Sequence, residues 1–377
     1  MLLTITILIF VPYAILILAL LWGWHRNGSA FGAFKSPAPQ TKLSVIVAFR
    51  NEASRIHPLL SCLAGQHYPN DRMEVLLVND HSEDSSAEAA SHWAAGQSFE
   101  AKVLHNAGDE KGKKEALTRG IQEATGELIV TTDADCAMGP GWLSSIARYY
   151  EQNPADMIAG PVLFEYDQQR FFEKFQALEF LTLLATTAGS IGAGRPLFCN
   201  AANMAFRRTS FLKLNDPFFS QTVSGDDTML LQKIKAAKSS TIAFNPDRQA
   251  VVTTPPEKNL RAFWNQRKRW VSKSRHYNDR DITGAGLIVF LANMWLMILI
   301  LGAPLSHTFL VLTGATFAFK ALIDLLLLRP VVGYFAKKEL WKIYLPAQIV
   351  YPIYSTLTGI WGRSSGFTWK SRHHHVN

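Results

Sequence analysis

The chain is 377 residues long, 48% hydrophobic and only 18% charged, with a formal net charge of +8, which leaves room for one sizeable globular domain plus attachments. Its three cysteines, Cys62, Cys136 and Cys199, make neither an even disulfide framework nor a metal-type spacing, and so suit a reducing compartment. The positive charge is no argument for nucleic acid, because residues 257–280 hold eight Lys/Arg against two acids directly before an apolar span, where a positive-inside bias explains the cluster and places it on the cytoplasmic side.

In chain order, residues 2–22 (LLTITILIFVPYAILILALLW) carry no charge and are long enough to cross a bilayer. They lack the basic start, shorter apolar run and small-residue cleavage site of a signal peptide, so a retained membrane anchor is expected over 1–24. Gly, Ser and Pro make 25–40 a linker. Strand-like and helix-like runs then alternate. LSVIVAF (43–49), MEVLLVND (73–80), AKVLH (101–105), GELIVTTDAD (126–135) and DMIAGPVLF (156–164) read as strands, with helical spacing in 54–66 and 113–124. Near-continuous apolar strands alternating with helices predict an α/β fold with a mostly parallel sheet covered on both faces. Segments 170–191 and 257–275 read as interfacial helices. Two further spans are expected over Ile282–Leu305 and Thr308–Leu328, whereas 343–361, with Pro346 and Pro352, either crosses or lies kinked in the interface. Lys320 and Asp324, four apart in the second span, are expected to pair with each other. The organisation expected is therefore an anchor (1–24), a linker (25–40), a catalytic-sized domain (41–280), a C-terminal membrane region (281–362) and a solvated tail (363–377) containing His373–His375.

In parallel sheets ligands bind outside the carboxyl ends of the strands, and the polar residues of this chain gather there. The first strand ends in Phe49, Arg50, Asn51 and Glu52, the second in Asn79 and Asp80, and the fourth in Asp133 and Asp135. Residues i and i+2 of an extended strand point the same way. Asp133 and Asp135 are thus placed to share one ligand, for which a hard divalent cation with phosphate oxygens is the natural chemistry and a solvated turn the plain alternative. Gly112 and Lys113 open a helix, a favourable place for a phosphate, although the spacing is not that of a Walker loop.

The ordered set VIVAFRNE, VNDHSED, GKKEAL, DADC, SGDD and QRKRW, spread over residues 42–275, resembles an inverting, membrane-bound family 2 glycosyltransferase with the GT-A fold. Ceramide and carotenoid glycosyltransferases and the cellulose and hyaluronan synthases are its relatives. The resemblance implies that Asp80 holds a nucleotide base with Phe49, Asn51 and Glu52 lining the pocket. It implies that Lys113 and Asp133 contact the nucleotide and that Asp135 holds Mg²⁺ or Mn²⁺ against the diphosphate. It implies that Asp227 is the general base with Asp226 beside it, where capping of the following helix is the alternative for either residue. Finally, it implies that Gln266, Arg269 and Trp270 serve the diphosphate and acceptor, while Arg267, Lys268, Lys273 and Arg275 are expected to rest on anionic lipid.

The resulting expectation is an integral membrane enzyme of the cytoplasmic membrane, with its catalytic domain on the cytoplasmic side. It would transfer a sugar from a nucleotide sugar, expected to be a UDP-sugar, to a lipid or lipid-like hydroxyl. A processive polysaccharide synthase is the alternative, but few spans provide little material for a polymer channel. A sugar nucleotidyltransferase is the alternative from another class, and would need neither Asp227 as a base nor the Q-x-x-R-W set.

Overall fold

The computed structural model describes residues 1–27, 39–106, 112–219, 225–237, 239–361, 367–369 and 372–374. Most of the expected linker, part of the loop before Lys113, Ser224 of the SGDD motif and the tail side chains, including those of His373–His375, lie outside the described residues. The elements in order are α1 (Leu2–Asn27), β1 (Leu43–Phe49), α2 (Ile56–Ala64), β2 (Met73–Asn79), α3 (Ser86–Ala95), β3 (Glu100–His105), α4 (Lys113–Glu123), β4 (Leu128–Thr131), β5 (Ala137–Met138), α5 (Trp142–Gln152), β6 (Met157–Ala159) and β7 (Val162–Phe164). There follow α6 (Phe171–Gly192), β8 (Met204–Arg207), α7 (Arg208–Leu212), α8 (Asp226–Ala236), β9 (Ile242–Phe244), β10 (Val252–Thr254), α9 (Leu260–Ser272), α10 (Arg280–Gly302), α11 (His307–Tyr334), α12 (Tyr344–Trp361), β11 (Phe367–Trp369) and β12 (Arg372–His374). The chain divides into two compact units, one of Met1–Arg26, Tyr166–Leu197 and Pro256–Asn377, the other of Asn27–Glu165 and Phe198–Pro255. This corrects the expected domain over 41–280: α6 and α9 belong to the helical unit.

In the helical unit α1, α10 with its 3₁₀ extension to Leu305, and α11 are long and apolar enough to cross a membrane. The 18-residue α12 does not join them; its polar Gln348, Tyr351, Ser355 and Thr356 and internal Pro352 dilute its apolar run. Segment 170–191 is helical, but α6 is buried on every side from Phe175 to Leu181, unlike an amphipathic helix with one free face. Part of the reason is a close crossing with α1: a Cβ on Gly23 would fall 1.8 Å from the Gly189 carbonyl oxygen, so the two backbones touch only because both residues are glycine.

Charges inside this unit are paired. Lys320 Nζ lies 2.6 Å from Asp324 Oδ2 and donates to Gln348 Oε1 at 3.1 Å, while Tyr13 Oη donates to Asp324 Oδ1 at 2.5 Å. The expected pair of Lys320 and Asp324 thus extends to α1 and α12. Arg267, expected at the lipid surface, is instead only 2% exposed. Its guanidinium forms a two-pronged ion pair with Glu179 of α6, lies 4.2 Å from the ring centre of Phe263 and 4.3 Å from that of Trp270, and donates to Tyr354 Oη of α12. A basic residue on an amphipathic helix looks lipid-facing in sequence; an acid on another helix reverses that.

In the α/β unit a seven-stranded sheet runs β3-β2-β1-β4-β8-β6-β9. β1 is parallel to β2 and β4, and β2 to β3, whereas β8 is antiparallel to both β4 and β6. All seven residues of β1 and of β2 are buried, as strands with helices over both faces must be. The expected fifth strand over 156–164 is split. Gly160 and Pro161 interrupt it, so β6 stays in the large sheet and β7 joins β10 and β5 in a three-stranded one. Asn203 mends the break: its amide donates to the carbonyls of Pro161 and Ala250, and its Oδ1 accepts from Trp142 Nε1 at 3.0 Å.

At the end of the sheet opposite the acidic tips, fully buried Glu74 accepts from Ser44 Oγ at 2.5 Å, Thr125 N at 2.6 Å, Thr125 Oγ1 at 2.9 Å and Gly126 N at 3.1 Å. Burial raises its pKa, but these donors prevail and hold it below the ordinary 4.5. A depressed carboxylate contributes stability that is present above the unfolded pKa and is lost as the pH falls through the folded one. Glu74→Gln should therefore destabilise the protein at pH 7 by about 1–3 kcal/mol, and the penalty should shrink below pH 4.5. Urea titrations of the full chain at several pH values check this; a penalty independent of pH would contradict it.

Candidate active site

The site forms at the carboxyl ends of β1, β2 and β4, and its centre is one lysine. Lys113, the first residue of α4, reaches across to Asp133 Oδ1 at 2.7 Å and to Asp226 Oδ2 at 3.1 Å. The GK, DAD and GDD segments, whose contacts span up to 113 positions of chain, thus meet at a single ammonium. Burial works against its charge, but the carboxylates of Asp133 and Asp226 outweigh it and hold the pKa well above the ordinary lysine range. That raised value means Lys113 keeps its charge at working pH and loses it only as the pH rises through the folded pKa.

Asp80 Oδ1 accepts from Gly112 N, just ahead of α4, at 2.9 Å and from Asn106 Nδ2, just after β3, at 3.3 Å. The tip of β1 is tied to the tip of β2. Asn51, in the left-handed region at φ 52°, donates its backbone N–H to Ser82 Oγ at 3.1 Å and accepts from Glu83 N at 2.8 Å. Glu52 donates its N–H to Ser86 Oγ at 2.7 Å, and its buried carboxylate meets Arg55 Nη2 at 2.9 Å. Phe49 is 1% exposed and closes the floor beneath these loops.

Asp133 and Asp135 are only part-buried, and one ligand atom from each lies within 4.8 Å of the other and of Cys136 Sγ. With Asp133 Oδ1 engaged by Lys113, Asp135 is the carboxylate best placed for a cation. Two hard oxygen donors beside an open cleft suit Mg²⁺ or Mn²⁺, which take their other ligands from water and phosphate. Cys136 is a poor thiolate donor here, because burial and the charges of Asp133 and Asp135 push its thiol well up.

Asp226 and Asp227 open α8, but neither is its N-cap. Gly225 holds that place at φ 101°, a conformation that favours glycine, and no side chain caps it. Asp226 is committed to Lys113 instead. Asp227 Oδ1 accepts from Thr228 N at 2.6 Å, which anchors the carboxylate to the first turn, where the helix favours negative charge. Cys199 Sγ donates to the Asp227 carbonyl at 3.6 Å.

The α/β unit therefore brings together Phe49, Asn51, Glu52, Asp80, Lys113, Asp133, Asp135, Asp226 and Asp227, whereas Gln266, Arg269 and Trp270 belong to the helical unit. There Arg267 stacks on Trp270 and donates to Gln266 Oε1. Sequence reasoning missed Arg55 and Cys199. The i,i+3 spacing of Glu52 and Arg55 was a readable signal; the contact of Cys199 with α8, 28 residues on, was not.

Residues 44–214 match the model of the family described as Glycosyl transferase family 2. Among relatives, glycosyltransferase AglE of Haloferax volcanii is 27% identical over 124 residues, 33% of this chain and 40% of that protein. Beta-monoglucosyldiacylglycerol synthase of Synechocystis is 23% identical over 241 residues, 62% of this chain and 48% of that protein. The chain thus spans less than half the length of either. The mannosyltransferase PcManGT from Pyrobaculum calidifontis, solved with GDP-Man and Mn²⁺, superposes with a TM-score of 0.55 at 21% identity, covering 96% of this chain and 99% of that one. The two share the GT-A fold.

The Lys113 ion pairs have a direct test. Lys113→Met leaves Asp133 and Asp226 facing each other without their shared cation, which should cost about 1–3 kcal/mol at this half-open site. Adding Asp226→Asn should recover part of that loss. Strict additivity of the two changes in urea unfolding of the full chain would mean that the three side chains do not act together.

Proposed function

We propose that the chain, whose residues 44–214 match the family 2 glycosyltransferase model, transfers a sugar from a nucleotide sugar to the hydroxyl of a membrane lipid, with inversion at the anomeric carbon. The single observation that carries this reading is the meeting of the GK, DAD and GDD segments on Lys113. A nucleotidyltransferase would have no need of a second acidic segment held against the first. By the resemblance the donor is a UDP-sugar, with the base against Asp80 between the stapled tips of β1 and β2, which Asn51 and Glu52 shape.

Lys113 and Asp133 would hold the nucleotide, and Asp135 would hold Mg²⁺ or Mn²⁺. Bound there, the cation neutralises charge gathering on the leaving diphosphate. Asp227 takes the proton of the acceptor hydroxyl as its oxygen bonds to the anomeric carbon and the bond to the diphosphate breaks on the opposite face. The hydrogen bond from Thr228 N keeps the Asp227 carboxylate oriented for this. Asp226 shares the cation of Lys113 and so keeps α8 docked on the nucleotide side. Gln266, Arg269 and Trp270 would serve the diphosphate and the acceptor, as the resemblance implies.

A lipid acceptor is supported by three helices able to cross a membrane, and by the beta-monoglucosyldiacylglycerol synthases among the relatives. The basic stretch 257–280 ahead of α10 supports a catalytic domain on the cytoplasmic side of the cell membrane, by the positive-inside bias. The second reading is a processive synthase, since a poly-beta-1,6-N-acetyl-D-glucosamine synthase is also a relative, 21% identical over 63% of this chain.

Membranes containing the chain, incubated with labelled UDP- and GDP-sugars, should yield label in extracted lipid. A long water-soluble polymer from the purified protein would replace this reading with the synthase. Asp227→Asn should lower transfer by about 10²–10⁴-fold while leaving nucleotide binding intact; near-wild-type turnover would remove Asp227 as the base.

A further inference from the structure

Each carboxylate of the DAD segment meets a cation of the chain, and these two contacts are unequal. Asp133 has Lys113, 19% exposed and bonded at 2.7 Å. Asp135 has Arg55, 53% exposed, with Nη1 at 3.9 Å from Oδ2. The first contact is a tight hydrogen-bonded ion pair shared with Asp226. The second is long, solvent-screened and readily exchanged. Arg55 does not depend on Asp135 for its place, because its other nitrogen, Nη2, lies 2.9 Å from Glu52 Oε2, and that carboxylate is buried. The side chain is therefore tethered to the β1 tip and leans on Asp135 with its free prong.

We propose that Arg55 is a placeholder at Asp135 that a divalent cation displaces, and that the displaced guanidinium then contacts the diphosphate of the donor. This rests on the reading of Asp135 as the cation's ligand. A dication and a guanidinium compete for one carboxylate, so the cation entering alone must overcome the contact with Arg55. When a diphosphate enters with the cation, the displaced Arg55 gains phosphate oxygens, for which its planar fork is well shaped. Held by Glu52 on the same tip that Asn51 and Ser86 tie to the β2 loop, it stays at the crevice edge. Cation and nucleotide binding are thereby coupled: each removes a cost that the other would meet alone. Lys113 cannot play this part, since withdrawing it would leave Asp133 and Asp226 facing each other.

The test compares Arg55→Gln, which keeps a polar side chain but loses the charge, with Arg55→Lys, which keeps the charge. The full-length protein in detergent is titrated with Mn²⁺ alone, read from the electron paramagnetic resonance of the free ion, and then with UDP or GDP at saturating Mn²⁺ by calorimetry. Arg55→Gln should bind Mn²⁺ alone about threefold to tenfold more tightly than wild type, the worth of removing one charge about 4 Å away in a wet site. The same variant should bind the nucleoside diphosphate about tenfold more weakly. Arg55→Lys should stay near wild type for Mn²⁺ and lie between the two for nucleotide. A purely structural role would weaken both ligands together, so unchanged or weaker Mn²⁺ binding in Arg55→Gln overturns the placeholder, and unchanged nucleotide affinity overturns the diphosphate contact. Asp135→Ala separates the premise from the inference. It should abolish Mn²⁺ binding whatever stands at position 55, and if it does not, the reading of Asp135 as the ligand fails first.

Discussion

The α/β unit is organised around the need to hold carboxylates near one another. Asp133 and Asp226 would repel across the crevice, and Lys113 turns that repulsion into a bond between β4, α4 and α8. One ammonium sets the distance between the strand tip and the helix that presents Asp227. Gly112, next to Lys113, is held in turn by Asp80 through its N–H, so the second strand tip also joins the same centre. The arrangement is electrostatically full before any ligand arrives. Arg55 adds a second, longer cationic contact to the same segment, 3.9 Å from Asp135.

The helical unit answers the same difficulty with internal pairs. Lys320, Asp324, Tyr13 and Gln348 satisfy one another among helices whose outer surfaces are apolar, and Glu179, Arg267 and Tyr354 join α6, α9 and α12. Such clusters add little net stability over apolar packing but penalise any helix register that separates the partners. Helix α9 is therefore held by its buried arginine rather than by its apolar residues alone. Gln266, Arg269 and Trp270 inherit their directions from that anchor, because residues on one short helix turn together.

Legibility followed the range of the interactions. The parallel strands were readable because each is a short apolar run ended by polar residues, a pattern that lies within the segment itself. The residues Asp80, Lys113, Asp133, Asp135, Asp226 and Asp227 could be picked out by motif and order. Their mutual geometry could not, since the bond from Lys113 to Asp226 spans 113 positions and leaves no local mark. Split strand 156–164 shows the same limit: Gly160 and Pro161 were visible, but only the pairing of β7 with β10 explains why the chain changes sheets there.

The sequence by itself determined the α/β class, the three apolar helices and the acidic strand tips, because periodicity, length and residue type act locally. Tertiary structure alone decided that Arg267 is a buried partner of Glu179, that α6 lies against α1 at Gly23 and Gly189, that Gly225 rather than an aspartate caps α8, and that Arg55 leans on Asp135. Each of these depends on which charge or which backbone comes within a few ångströms from a distant part of the chain. Coulomb attraction and close packing act on that distance, and the order of residues along the chain does not state it.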